Sequence, residues 1–132
     1  MIKKIDHIAI VVKDVDKTIK SYEEMFGFKK ISKMEFGGGD AIVAMIKVGD
    51  ITLELFQPTK AGTAFDKFLK EQGGGLHHIS FLTDDILKDI KNIKAKGKKM
   101  THNEPIALPD AKIAFVDAAS ADNVSIELAE RK

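Results

Sequence analysis

Residues 5–14 read IDHIAIVVKD, and residues 76–85 read LHHISFLTDD. These two stretches decide the fold, because an offset of 71 aligns an apolar run followed by aspartate in both. The same offset places His7 on His78. A repeated segment of this kind is typical of one supersecondary unit that occurs twice in a chain.

Two further segments match at nearly the same spacing. At offsets of 70 and 73, residues 40–45 align with residues 110–115, and residues 51–55 align with residues 124–128. Glu54 thereby falls on Glu127. Loops of different length would produce this small drift in the offset, so the sequence predicts an internal duplication.

Each half predicts a strand, an amphipathic helix and then three more strands. In the first half, residues 5–13 predict the first strand, and Asp14 or Asp16 can cap a helix that ends at Gly27. The apolar positions of this helix are Val15, Ile19, Tyr22 and Phe26. Glycine turns separate predicted strands near residues 28–35, 41–48 and 51–57. The pattern indicates an α+β fold built from two βαβββ modules.

We predict one domain over residues 1–132 that contains both modules. Pro58 closes module one, which covers about residues 1–58. A linking helix covers about residues 62–72, and module two covers about residues 76–130. Three consecutive glycines follow the linking helix and suit the turn into the second copy.

Composition limits the classes of function. The chain has 132 residues, with 21 Lys plus Arg against 20 Asp plus Glu, and a formal net charge of +1. This balance disfavours nucleic-acid binding, which needs a basic surface. No apolar run reaches the ~18–20 residues of a membrane span, and the first residues lack a signal-peptide pattern, so we expect a cytoplasmic protein. Because there is no cysteine, a metal must be bound by His, Asp or Glu.

Strand alternation places four potential metal ligands on equivalent faces. Successive side chains of a strand point to opposite faces, so His7 and Glu54 lie on the face away from the helix of module one. His78 and Glu127 repeat this placement in module two. Two imidazoles and two carboxylates suit a divalent ion of Co, Ni, Zn, Mn or Fe, with positions left for water or substrate.

Each of these residues also has a structural interpretation. A single histidine in a strand is more often a hydrogen-bonded or exposed residue, and a glutamate between leucines is more often on a solvated face. The matching positions can also be a remnant of the duplication. The joint placement of all four is what favours a metal site.

Five motifs resemble those of the vicinal oxygen chelate superfamily, which has the glyoxalase I and bleomycin-resistance fold. They are residues 4–10 (KIDHIAI), 26–28 (FGF), 53–58 (LELFQP), 75–81 (GLHHISF) and 126–128 (IEL). The resemblance covers essentially the whole chain. It implies paired βαβββ modules whose eight strands form a curled mixed sheet around a metal, and a homodimer. It also implies that His7, Glu54, His78 and Glu127 are the metal ligands.

Within this superfamily the chain is most similar to the methylmalonyl-CoA epimerases. The similarity lies in the Ile-Asp-His start, the Glu-Leu-x-x-Pro motif, the Gly-x-Gly-x-His-His motif and the Lys-Ile-Ala-Phe strand at residues 112–115. It implies a metal-dependent isomerase that forms an enolate from an acyl-CoA with two vicinal oxygens. Glu127 would be one catalytic base, and Glu54 would be the first candidate for the second.

Two departures from the epimerase pattern concern the substrate side of the site. Some epimerases carry a glutamate as base where this chain has Val43, so Glu54, or else Glu35 or Asp40, would have to replace it. The loop at residues 106–110 also differs from the epimerase pattern, which affects CoA recognition.

Two alternatives remain open. Lactoylglutathione lyase uses a similar set of ligands on a thiol adduct, but its bacterial form usually needs arginines for the carboxylates of glutathione, and Arg131 is the single arginine here. The second alternative is a non-catalytic member of the superfamily that binds a small molecule.

Overall fold

The protein contains eight strands, three α-helices and one short 3₁₀ helix, and its computed structural model describes residues 1–132. In chain order the elements are β1 (Ile2–Val11), α1 (Val15–Phe26), β2 (Lys30–Phe36), β3 (Ala41–Val48), β4 (Ile51–Pro58), α2 (Ala64–Gln72), β5 (Gly75–Thr83), α3 (Ile86–Ala95), β6 (Ile106–Ala107), β7 (Ala111–Val116), the 3₁₀ helix (Ala118–Ala121) and β8 (Ile126–Arg131). The order βαβββ occurs twice, with α2 between the copies. The predicted α+β fold with two βαβββ modules and an eight-stranded mixed sheet is confirmed.

The chain divides into two compact units. One consists of residues His7–His77, and the other combines Met1–Asp6 with His78–Lys132. The first six residues, which the sequence places in module one, therefore group with residues 78–132. The assignment of residues 1–132 to a single domain stays a prediction.

In the unit of residues His7–His77 the strand order is β2-β3-β4-β1. Strand β4 runs parallel to β1 and antiparallel to β3. The register pairs Ala9 of β1 and Met45 of β3 with Glu54 of β4. Glu54 therefore lies in the middle of this half of the sheet, with a strand on either side.

The other unit repeats this arrangement with the strand order β5-β8-β7-β6. Strand β8 runs parallel to β5 and antiparallel to β7. The register pairs Ser80 of β5 and Phe115 of β7 with Glu127 of β8. These positions match those around Glu54 at the offsets found in the sequence, so the duplication extends to the strand register.

Helix α1 begins with two side-chain caps. The carboxylate of Asp14 accepts hydrogen bonds from the backbone N–H groups of Asp16 and Lys17, as expected of an N-cap aspartate. The side chain of Gln57 on β4 accepts a third from the N–H of Val15 at 2.9 Å. The last strand of module one therefore fixes the start of its helix.

Helix α3 begins in the same way. Asp85 accepts a hydrogen bond from the N–H of Lys88, and Glu130 on β8 accepts one from the N–H of Ile86 at 3.0 Å. Each residue occupies the position that the repeat assigns to its counterpart in module one. The helix of each module is thus held to its last strand by equivalent bonds.

Both module helices pack on one face of their strands. A cluster of buried apolar residues lies under α1, formed by Val15, Ile19, Ala44, Ile46 and Leu55. A smaller one lies under α3, formed by Ile86, Ile90, Ala114 and Leu128. Burial of these side chains provides most of the favourable free energy of such a fold. No helix of the protein has the length and apolar character that a bilayer span requires.

A third cluster lies on the other face of the first unit. It contains Ala9, Val11, Ala41, Val43 and Phe56, and α2 packs against it through Phe65, Phe68 and Leu69. Helix α2, the predicted linking helix, therefore packs over this face of the sheet. It ends at Gly73, which adopts φ +77, and a Cβ on the next residue, Gly74, would lie 2.8 Å from the carbonyl oxygen of Val11. Only glycine fits this close approach of two backbone segments.

One local expectation was wrong. Phe26, predicted on the apolar face of α1, is 58% exposed and contacts the rings of Tyr22 and Phe28, because it is the last residue of the helix. The first strand after α3 has only two residues. Pro105 and Pro109 flank it, and proline cannot donate a hydrogen bond to a neighbouring strand.

Candidate metal centre

The first His–Glu pair lies in the unit of residues His7–His77. His7 on β1 and Glu54 on β4 are 5% and 8% exposed. Nδ1 of His7 lies 3.2 Å from Oε2 of Glu54. Thr52 on β4 is the register partner of His7, so the two strands place these side chains on adjacent positions of one sheet face.

The second pair lies in the other unit. His78 on β5 and Glu127 on β8 are 6% and 5% exposed, and Nε2 of His78 lies 3.6 Å from Oε2 of Glu127. The hydroxyl of Ser80 donates a hydrogen bond of 2.7 Å to Oε1 of Glu127. The ring of Phe115 meets the imidazole of His78 edge-on, with ring centroids 5.3 Å apart and an interplanar angle of 88°.

The donor sets fit a divalent metal ion. Burying a carboxylate is unfavourable unless it is hydrogen-bonded, paired or bound to a cation. Each unit buries one carboxylate beside one imidazole, and imidazole nitrogen with carboxylate oxygen is the ligand combination that Zn, Co, Ni, Mn and Fe accept. The residues present therefore fit the type of ion that the sequence predicts.

The position of the missing epimerase base is apolar. Val43 is buried among Ala9, Val11 and Phe56, so no acid occupies this part of the face. Of the two substitutes considered besides Glu54, Glu35 is exposed on β2 and Asp40 is half-buried in the turn before β3. Glu54 is the candidate that is buried beside a histidine.

His77, the neighbour of His78 in the sequence, packs between aromatic side chains. His77 packs against the rings of Phe65 and Phe68, at centroid distances of 5.1 and 4.9 Å. Burial lowers the pKa of His77 below its usual value, because the charged form loses hydration.

The single arginine, Arg131, forms an ion pair with Asp6, with 2.6 Å between Nη2 and Oδ2.

Sequence reasoning named all four metal-ligand candidates but missed two of their neighbours. Ser80 and Phe115 are both register partners of Glu127. The repeat contains a signal for them, since its offsets align Ser80 with Ala9 and Phe115 with Met45 in the sequence. A comparison of the register partners of the two glutamates would have singled them out.

A family model of the Glyoxalase/Bleomycin resistance protein/Dioxygenase superfamily matches residues 6–115. The match includes most of both modules, and the structure has the paired βαβββ order. The chain therefore belongs to this superfamily, the vicinal oxygen chelate proteins.

Similar proteins of known sequence or structure include enzymes. The uncharacterized protein YqjC of Bacillus subtilis (strain 168) is 28% identical over 98% of this chain and 93% of its own length. A solved methylmalonyl-CoA epimerase in complex with methylmalonyl-CoA and NH4+ is 30% identical, with a TM-score of 0.89 over 99% of this chain and 96% of that one. A probable chloroplastic lactoylglutathione lyase of Arabidopsis thaliana is 29% identical over 95% of this chain, which spans 35% of the lyase. These relatives support an enzymatic function at the level of the superfamily.

Proposed function

We propose that the protein is a metal-dependent epimerase of a CoA thioester with two vicinal oxygens, with methylmalonyl-CoA as the first candidate substrate. The observation that carries the proposal is the repeated His–Glu pair, buried at equivalent register positions in the two modules. In this proposal His7, Glu54, His78 and Glu127 bind one divalent ion together.

A divalent ion in such a site supplies Lewis-acid stabilisation of negative charge on two neighbouring substrate oxygens. Epimerisation requires that the carbon between those oxygens lose a proton on one face and gain one on the other. Glu127 is the proposed base for the first face, because it is a buried carboxylate that the Ser80 hydrogen bond holds in one orientation. Glu54 is the proposed proton carrier for the opposite face, since it is the buried acid of the other module.

The choice of a CoA ester rests on similarity and on charge. The similar solved epimerase, which matches 99% of this chain, is in complex with methylmalonyl-CoA. The chain has 20 lysines and one arginine, and lysines can act as point charges for the phosphates of CoA.

A homodimer, which the family resemblance implies, stays a prediction.

Lactoylglutathione lyase is the second candidate because a probable lyase is 29% identical to this chain over 126 aligned residues. Bidentate recognition of the two glutathione carboxylates would require arginine, and Arg131 is already in an ion pair with Asp6. This charge pattern favours the CoA ester over the thiol adduct. The presence of two buried His–Glu pairs favours an enzyme over a protein that only binds a small molecule.

The test combines metal analysis with proton exchange. Protein purified without an affinity tag should contain one divalent ion per chain, and incubation with methylmalonyl-CoA in D2O should place deuterium on the α-carbon. His78→Ala should lose the ion, whereas the matched control His102→Ala should keep it, because His102 is exposed in a loop. Metal without exchange would favour the lyase, and a chain without metal would contradict the proposal.

A further inference from the structure

The two modules differ at the residue that faces each glutamate across the parallel strand pair. Ala9 of β1 is the register partner of Glu54, and Ser80 of β5 is the register partner of Glu127. Both positions are completely buried. At equivalent places, module one therefore has a methyl group and module two has a hydroxyl.

The hydroxyl of Ser80 makes a specific contact. It donates to Oε1 of Glu127 at 2.7 Å, in a fully buried setting where a hydrogen bond to a charged group is strong. Oε2 of the same carboxylate faces Nε2 of His78 at 3.6 Å. The two oxygens of Glu127 thus have different neighbours, one a hydroxyl donor and the other the imidazole.

We propose that Ser80 is a positioning residue that fixes the orientation of the Glu127 carboxylate and so decides which oxygen, Oε2, is presented at the site. The inference rests on the proposed function, because it concerns the oxygen of Glu127 that would bind the divalent ion. A ligand held in place by an outer hydrogen bond loses less freedom when the ion binds, and outer partners of this kind commonly contribute about 10–100-fold to metal affinity. Ala9 cannot act in this way on Glu54, because a methyl group does not donate a hydrogen bond.

A second buried hydroxyl on the same strand provides the matched control. Thr83 lies on β5, three residues after Ser80, and its hydroxyl contacts Asp89 and the carbonyl oxygen of Met1. It points to the face opposite Ser80, as strand alternation requires. Thr83→Ala therefore removes a buried hydroxyl without touching Glu127.

The experiment measures Co2+ affinity by chelator competition, with the visible absorption spectrum of bound Co2+, in wild type, Ser80→Ala, Ser80→Thr and Thr83→Ala. Thermal unfolding of the same four proteins monitors folding. Ser80→Ala is expected to weaken Co2+ binding about 10–100-fold and to change the spectrum. Ser80→Thr keeps the hydroxyl and should bind within about threefold of wild type. Thr83→Ala should lose stability and keep its Co2+ affinity.

Two outcomes would overturn the inference. Either Ser80→Ala binds Co2+ as tightly as wild type, or Ser80→Ala and Thr83→Ala weaken binding equally, which would show a general effect of lost packing. Failure of the proposed function gives a different result. Co2+ binding without deuterium exchange on methylmalonyl-CoA contradicts the epimerase and leaves the role of Ser80 standing, whereas a wild-type chain that binds no Co2+ overturns both.

Discussion

The His–Glu pairs of the two modules occupy the same places in their strands but are held differently. In module two, Ser80 donates a hydrogen bond to Glu127. In module one, the equivalent position across from Glu54 is Ala9. The duplication has kept the donor atoms and changed what surrounds them, which is the pattern expected when two similar carboxylates have different tasks.

A second difference concerns the antiparallel neighbour of each glutamate. Phe115 is the register partner of Glu127 and stacks edge-on against His78, whereas Met45 is the register partner of Glu54. An aromatic ring has few rotamers and limits how its neighbours move, while methionine is flexible. We therefore expect the surroundings of Glu127 to be more rigid than those of Glu54.

The largest expected effect comes from removing one carboxylate at a time. Glu127→Gln should reduce epimerisation of methylmalonyl-CoA about 10²–10⁴-fold, because the proton acceptor on one face is lost. Glu54→Gln should also stop net epimerisation, while solvent deuterium still enters the epimer whose proton Glu127 removes. NMR of each epimer in D2O distinguishes the two variants.

Metal content of both variants must accompany this comparison, because a lost ion would also stop the reaction. Normal turnover in Glu127→Gln would refute the role assigned to Glu127. Normal turnover in Glu54→Gln would instead sharpen the contrast between the modules, since Glu54 would then be a metal ligand without a part in proton transfer.

Truncation of equivalent core leucines should lower the free energy of unfolding by different amounts in the two modules, which is a smaller effect. Leu55 and Leu128 are equivalent buried leucines, but Leu128 also lines an open cavity of about 390 Å³ beside α3. Leu55→Ala is expected to lower the free energy of unfolding by about 3–5 kcal/mol, within the range for buried leucines. Leu128→Ala should lower it by about 2–3 kcal/mol, because side chains that line an open cavity can move to fill part of the lost volume. Urea unfolding measures both, and equal losses would show that the cavity does not weaken module two.

The smallest expected effect is the acid dependence of stability at Asp84, whose counterpart in module one is Lys13. The N-terminal ammonium of Met1, and then Lys3, lower the pKa of Asp84 from 3.8 to about 2. The contribution of these pairs is therefore complete above about pH 4 and is lost as the pH falls towards 2. Asp84→Asn should melt below wild type at pH 6 and approach it near pH 2.

Lys13→Ala provides the control for this titration. A lysine does not change its charge between pH 2 and pH 6, so this variant should follow the pH dependence of wild type. A melting difference between Asp84→Asn and wild type that stays constant over this range would contradict the role of the ion pairs.

Much of the fold follows from the sequence because its signals are local. The aspartate at residue 14 and the glycine at residue 27 cap helix α1 as predicted, and the strand expected at residues 41–48 has those bounds. The four donors were identified from strand alternation and the repeat, and each His–Glu pair is present within its own unit. Their union around one ion stays a prediction.

The remaining features depend on contacts between distant residues. Ser80 is an ordinary small residue of a strand until the register places it beside Glu127, 47 positions along the chain. Periodicity within one segment carries no information about such partners.

The start of β1 has a consequence for how the molecule can be divided. Met1 and Asp6 form ion pairs with Asp84 and Arg131, which lie in the second half of the chain. A cut after Gly74 would separate these partners, so a fragment of residues 1–74 would carry a terminal segment whose contacts belong to the other fragment. Residues 1–6 thus belong to the second compact unit, and we expect a fragment of residues 1–74 to regain more structure when mixed with residues 75–132 than it does alone.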